Sequence, residues 1–371
     1  MKKLAGAAAT LAATTTLATA GGLDRAGNNL GPLFEDGNYV EFSFGAVNPS
    51  VSGTDAATLG TGDVASGYAQ FSLGYKQQIN ENLSFSLLID QPYGADVSYL
   101  AGPAAGGTGS AVFGGTRANV NSESVSFTGR YKFDNGFSVH GGLRAQSLEA
   151  EVALGGAGFG PLNGFNATFD RDIGYGYHIG GAFERPDIAL RVALTYFSEI
   201  EHNADTRESF APGVVSNTEI TTPEAFNLDF QTGIAEDTLL FGQIRYVDWE
   251  SVSVVPVAFG NATGGASLVG IENSTTYTLG IGRRFNEAFS GAVSIQYEDS
   301  GDPLVSPLGP SNGRLGISIG GTYTQGPMKI TGGINYTDVG DATPRTAAGT
   351  AGANFTGNKS IGAGFRIGYS F

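Results

Sequence analysis

The 371-residue chain has no cysteine, two methionines, one tryptophan and three histidines. Without cysteine there can be no disulfide staples and no thiolate metal sites. Three histidines, at positions 140, 178 and 202, offer little from which to build a metal centre. Long apolar runs are also missing, because beyond the N-terminus nothing approaches the ~20 apolar residues of a membrane-spanning helix. Basic residues are few, 20 Lys and Arg against 35 Asp and Glu, and the formal net charge of -15 argues against nucleic acid as a partner. No histidine stands beside a serine in a recognisable nucleophile motif. The run Gly174-Tyr175-Gly176 with Gly180 imitates a dinucleotide loop but lies inside a strand pattern with no helix after it. Enzymatic activity, cofactors and metals are therefore not expected.

What is abundant is glycine, with 58 residues, together with 24 Phe and 15 Tyr. This is the usage of many twisted strands with glycine at turns and crowded interior positions. A mean hydropathy of -0.04 fits strands whose apolar residues face lipid and whose polar residues face a lumen.

The N-terminus starts with Met1-Lys2-Lys3, continues through a small and apolar stretch to Leu17, and reaches Ala18-Thr19-Ala20 before Gly21. This is the tripartite pattern of a secretory leader, so residues 1–20 are expected to be cleaved. Losing Lys2 and Lys3 leaves 18 basic residues against 35 acidic, a net charge near -17. Residues 21–37 then form a short N-terminal segment, and residues 38–371 form the body of the protein.

From Asn38 to the last residue the dominant signal is alternation of period two, the mark of strands whose two faces meet different surroundings. Val40, Phe42, Phe44 and Ala46 share one face, with Tyr39, Glu41, Ser43 and Gly45 on the other. The pattern resumes on either side of Asn80-Glu81-Asn82 and of Asp134-Asn135-Gly136, and an Asn-Gly turn between alternating segments is a strong hairpin signal. Further hairpins are expected around 185–187, 233–237, 286–287 and 325–327, giving about fourteen strands. Connections alternate between such tight turns and long segments rich in Gly, Ala, Ser, Thr and Asn, near 48–66, 92–120, 154–171, 201–222, 251–271, 299–313 and 340–359. The fold class is thus all-β, a transmembrane antiparallel up-and-down barrel with short periplasmic turns and long external loops. Tyr75, Phe133, Tyr196, Tyr246, Trp249, Tyr297, Tyr323, Tyr336, Tyr369 and Phe371 fall near strand ends, where amphipathic rings suit the membrane interfaces.

Several segments resemble landmarks of the FadL/TodX family of outer-membrane transport proteins, in that family's order. They are Asp172 to Glu184 (DIGYGYHIGGAFE), the strand ending LTYFSEIEH at His202, and Thr222-Pro223-Glu224-Ala225-Phe226 leading to Val247-Asp248-Trp249. Asp302-Pro303 with Pro310 and Arg314 to Tyr323 continues the series. The resemblance implies a fourteen-stranded barrel closed by an N-terminal hatch. It also implies ligand passing from an outer groove to an inner pocket and out through an opening in the wall. Leu23-Asp24-Arg25-Ala26-Gly27 is similar to the family's hatch start, with Leu23 and Arg25 the matching positions. The hatch is short, however, and the family's Asn-Pro-Ala hatch motif has no counterpart there, since Asn48-Pro49-Ser50 lies beyond the first strand.

On the face opposite the apolar one stand Arg130, Lys132, His140, Arg144, Arg191, Arg245, Arg284, Lys329 and Arg366, interspersed with Glu41, Asp90, Asp229 and Glu298. Such charges belong in a lumen. Arg144, Arg191 and Arg245 are the candidates for gripping a ligand carboxylate through bidentate hydrogen bonds, and the alternative is an ion-pair network that stiffens the barrel. The expected function is passive passage of a long-chain fatty acid or other hydrophobic small molecule, by a monomer set in outer-membrane lipid and lipopolysaccharide. A general diffusion porin for small polar solutes is the alternative. The first predicts an apolar pocket built from loop residues such as Leu100, Val112, Phe113, Phe159 and Leu162, and the second an open polar channel.

Overall fold

The computed structural model describes residues 23–371; the expected leader, residues 1–20, lies outside the described residues. Fourteen antiparallel strands close into one barrel. They are β1 (Tyr39–Ser50), β2 (Tyr68–Gln78), β3 (Leu83–Asp90, resuming as Gly94–Ser98), β4 (Arg117–Lys132), β5 (Phe137–Leu154), β6 (Phe165–Arg185) and β7 (Leu190–Phe197 and Ile200–Glu208). The second half comprises β8 (Val215–Thr222 and Ala225–Ala235), β9 (Thr238–Val247), β10 (Ser274–Arg284), β11 (Phe289–Glu298), β12 (Arg314–Gln325), β13 (Met328–Val339) and β14 (Asn358–Ser370). Closure is made by β14 against β1, in register from Tyr39 opposite Ser370 to Ser50 opposite Lys359. A spanning sheet must close in this way, because hydrocarbon offers no partner to an edge strand's N–H and C=O groups.

Alternation sorts the side chains as the sequence pattern requires. In β5, Leu143 is 71% exposed while its neighbour Arg144 is 3% exposed. Phe42, Phe44, Tyr175, Ile179, Leu279, Ile295, Ile319, Ile334 and Ile367 likewise point outward and are exposed. A continuous belt of such residues is too large for a surface in water and defines the lipid-facing wall. Tyr75, Tyr131, Phe133, Phe137, Phe285, Phe289, Tyr369 and Phe371 are exposed around the end that carries the tight turns and form an aromatic girdle there.

The tight turns explain themselves locally. Gly136 has φ 86°, a left-handed conformation that the Asn135-Gly136 pair readily supplies. Asn80 accepts from the backbone N–H groups of Asn82 (3.0 Å) and Leu83 (2.9 Å), and Asn286 does the same for Ala288 and Phe289 (2.9 Å each).

At the opposite end two expected loops prove to be strand. β6 begins at Phe165, β7 runs to Glu208 and β8 starts at Val215, where loops had been expected over 154–171 and 201–222. Above the membrane the outward positions turn polar, as in exposed Glu201, Asn203, Asp205 and Arg207, while His202, Ala204, Thr206 and Glu208 stay buried. Hydrophobic alternation fades there although the hydrogen-bonded ladder continues. The remaining loops fold over the barrel mouth around Tyr99, Phe113, Phe159, Phe165, Phe259 and Phe355. Asp55 fastens them, accepting from the Leu59 N–H (2.8 Å), the Ser110 hydroxyl (2.8 Å) and the Ala111 N–H (2.7 Å).

Candidate ligand passage

Residues 23–37 lie inside the barrel, and lumen-facing side chains from around the wall converge on them. Arg245 on β9 donates from Nε to Asp24 (2.6 Å), Asn227 on β8 donates to the Gly27 carbonyl (2.9 Å), and Arg144 on β5 donates to Asn28 Oδ1 (2.9 Å). Lower down, the Phe34 ring sits between the guanidinium groups of Arg130 (4.5 Å) and Arg191 (4.6 Å), edge-on to His140. Glu35 accepts from Lys329 (2.9 Å), and Lys76 donates to its carbonyl. Cations stacked on Phe34 and paired with Asp24 and Glu35 make the basic lumen a socket for this segment.

The three arginines singled out in the sequence are therefore all brought to the hatch segment, at different heights. Arg245 meets a carboxylate, Arg144 a neutral amide, and Arg191 an aromatic face. Other lumen charges pair across strands: Arg314 with Glu298 (2.7 Å), Arg366 with Glu41 (3.6 Å), Arg130 with Glu184 and Arg284 with Asp237. His140 and His178 exchange hydrogen bonds with Thr195 (2.9 Å) and Thr128 (2.8 Å), and His202 is buried beside Asp172. The histidines thus stand on three different strands.

The wall is interrupted between β2 and β3. Their ladder runs from Gln78 opposite Ser84 up to Leu73 opposite Ile89 and stops there. Above it β2 keeps its pairing with β1 as far as Val47 opposite Tyr68. The resumed part of β3, Gly94–Ser98, pairs only with β4 along its length, apart from one bridge from Val97 to Ala65. Pro92 lies at the break and has no N–H to give β2. β3 turns instead to the hatch: Arg25 and Ala26 donate to the Pro92 carbonyl (2.7 and 3.3 Å), and Gly94 donates to the Leu23 carbonyl (2.8 Å). Gln91 partly covers the exposed β2 edge, its side chain accepting from the Phe71 N–H (3.1 Å). A pocket of about 80 Å³ lies at this gap, among Ser43, Gln70, Asp90, Gln91 and Arg25.

A larger cavity, about 580 Å³, lies between the loops and the hatch. Its apolar lining includes Val47, Val120, Val152, Leu268, Ile271 and Leu308, and its polar lining includes Asp96, Glu272, Asp299 and Asp302. The expected loop residues are placed elsewhere. Phe113 and Phe159 pack on one another (5.8 Å) in the loop core, with Val112 and Leu162 against that core, and Leu100 is exposed. Large rings on glycine-rich segments in water bury each other first, so the cavity is lined instead by strand tops and the loops after β9 and β11. Trp249, expected at a membrane interface, is only 2% exposed. A 3-10 turn over Trp249–Ser251 carries it inward to meet Tyr93 edge-on at 5.5 Å. The β3 break falls in a stretch, 92–120, whose composition reads as loop. Pro92 within an otherwise alternating segment was the available signal.

These features define a membrane-spanning β-barrel plugged from its own N-terminus, with a loop-roofed cavity and a gap in its wall. No family model and no curated protein matches the chain. Among solved structures, a FadL homologue of Pseudomonas aeruginosa superposes with a TM-score of 0.72 at 15% identity, over 97% of this chain and 98% of that one. The P. putida toluene transporter TodX gives 0.66 at 14% identity over 99% and 94%, and the Ralstonia pickettii toluene transporter TbuX 0.65 at 12% over 97% and 98%. The chain has the fold of these barrels over nearly its whole length.

Proposed function

We propose that the protein is an outer-membrane channel for passive passage of hydrophobic small molecules, a long-chain fatty acid or a hydrocarbon. The observation that carries this reading is an apolar-lined cavity placed above a filled lumen and beside a break in the wall. A porin for polar solutes needs a continuous aqueous bore. Here the lumen-facing Ser294, Arg314, Ser318, Asn335 and Arg366 are buried, as are Leu33 of the hatch and Gln146 of β5. A molecule that enters from the loops therefore meets the gap between β2 and β3 before it meets a route down the axis, and a hydrophobic one can leave sideways into lipid. The toluene transporters and FadL homologue of like fold support this substrate class.

In this reading residues 1–20 are the leader that exports the chain, and the barrel works as a monomer in lipid and lipopolysaccharide. Leu23 and Arg25 begin the hatch. Arg144, Arg191 and Arg245 become carboxylate ligands only when the hatch shifts, because each is already engaged by it. The test is binding of a long-chain fatty acid and of toluene to the purified mature barrel, beside conductance in a planar bilayer. Saturable binding with little conductance is expected. Steady conductance without binding would replace this reading with the porin.

A further inference from the structure

Among the described residues Arg25 is the one cation common to two spaces, Arg366 lining only the smaller and Arg345 only the larger. It lines both the cavity beneath the loops and the pocket at the wall gap. Its backbone N–H is held on the β3 side by the Pro92 carbonyl (2.7 Å), while its guanidinium carbon lies 4.2 Å from the centre of the Tyr68 ring on β2. The side chain therefore crosses the interval from which β3 has withdrawn. Gly94 makes this possible, since a Cβ there would collide with the guanidinium.

Arg245, Arg314, Arg130 and Lys329 each face a carboxylate, and Arg144 and Arg191, which meet an amide and a ring, line neither the cavity nor the gap pocket. Among the described residues Arg25 forms no ion pair; it lies over the Tyr68 ring and in the field of Asp96. Stacking uses the face of the guanidinium and leaves its in-plane N–H fork as the part that matches a carboxylate. Glu272, Asp299 and Asp302, on the loops after β9 and β11, are acidic members of the cavity lining, and its other cation, Arg345, does not line the pocket at the wall gap.

Resting on the hydrophobic-transport reading, we propose that Arg25 is the headgroup-reading residue of this passage. It receives the carboxylate of an amphipathic ligand at the neck between cavity and wall gap while the chain lies along Val47, Val120 and Leu268. Arg144, Arg191 and Arg245 line neither space, whereas Arg25 lines both with the hatch in place.

The single tryptophan lines the same cavity and reports on it. Laurate and methyl laurate are titrated into the mature barrel in nanodiscs, followed by Trp249 fluorescence. Wild type is expected to prefer the acid by about tenfold, the scale of one charge-assisted hydrogen-bonded pair. Arg25→Met should bring that ratio near one with ester binding kept, Arg25→Lys should retain part of it, and Gly94→Ala should lower it by moving the guanidinium without removing the charge. An unchanged ratio in Arg25→Met, or a wild type that holds the ester as well as the acid, overturns the proposal and leaves the transport reading standing. Failure of wild type to bind either compound sinks both.

Discussion

Arg245 on β9 donates from Nε to Asp24 Oδ2 at 2.6 Å, joining residues 221 positions apart. Both side chains are buried, at 4% and 9% exposure. The same guanidinium donates to Asn227 Oδ1 (2.8 Å), and Asn227 holds the Gly27 carbonyl (2.9 Å), so one arginine fixes two points of the hatch. Stranding one partner of a buried pair costs about 3–5 kcal/mol, far more than a surface pair contributes.

Asp24→Asn is accordingly expected to loosen the hatch without unfolding the barrel. Planar-bilayer recordings should show openings that the parent lacks, and limited proteolysis should cut residues 23–37 faster. Replacing both partners, with Asp24→Asn and Arg245→Met together, should recover part of the lost closure, because the unpaired charge is then gone. Recordings of Asp24→Asn identical to the parent would place the hold on the hatch at Phe34 and Glu35 instead.

The gap between β2 and β3 can be bridged cleanly because the chain has no cysteine of its own. Gln70 and Gln91 face one another across it, Gln70 Nε2 reaching the Gln91 carbonyl at 3.4 Å. A Gln70→Cys, Gln91→Cys variant joined by a short bismaleimide should bind a fatty acid as before yet deliver it to acceptor vesicles at least tenfold more slowly. Transfer at the parental rate would show that the ligand leaves by another route.

The barrel was legible in the sequence because each membrane-spanning strand writes its two faces as alternate residues, and Leu143 beside Arg144 is that code in two positions. The code stops where both faces become polar, which is why the upper parts of β6, β7 and β8 read as loop. Trp249 was misplaced for a related reason: its position near a strand end was visible, but the 3-10 turn that swings it inward depends on Tyr93 from a distant strand. Arginines facing the lumen were legible as a set. Their partners Asp24, Asn28 and Phe34 were not, since a short segment without periodicity carries no sign of the wall it will touch.

Asp55 ties the loop cap to a pH window. Burial alone would raise its pKa, but the hydrogen bonds from Leu59, Ser110, Val112 and Ala111 outweigh it and hold the carboxyl below its usual range. A depressed folded-state pKa stabilises above the ordinary carboxylate value and loses that contribution as pH falls through the lowered one. Hydrogen exchange in 99–116 should therefore stay slow from neutral pH down to about 4 and quicken only below that. Asp55→Ala should make exchange there fast already at pH 7, because it strands donors at roughly 1–3 kcal/mol for each buried group. Exchange that is slow in Asp55→Ala would mean that the aromatic core alone keeps the loops closed.

The outward face supplies a test by depth. Leu143 is six residues beyond Phe137, the first residue of β5, and at about 3.4 Å per residue along a strand tilted by roughly 40° it lies ~15 Å above that end, near the middle of the lipid-facing belt. Phe133, at the turn itself, sits in the aromatic girdle. Leu143→Arg should lower the free energy of folding into liposomes by about 2–4 kcal/mol, whereas Phe133→Arg should cost about 0–1 kcal/mol beyond the loss of its ring contact with Tyr131. Denaturant titration of both variants in the same lipid measures the difference. Equal costs would mean that the two positions lie at the same depth, and the assignment of the tight-turn end to a membrane interface would have to be withdrawn.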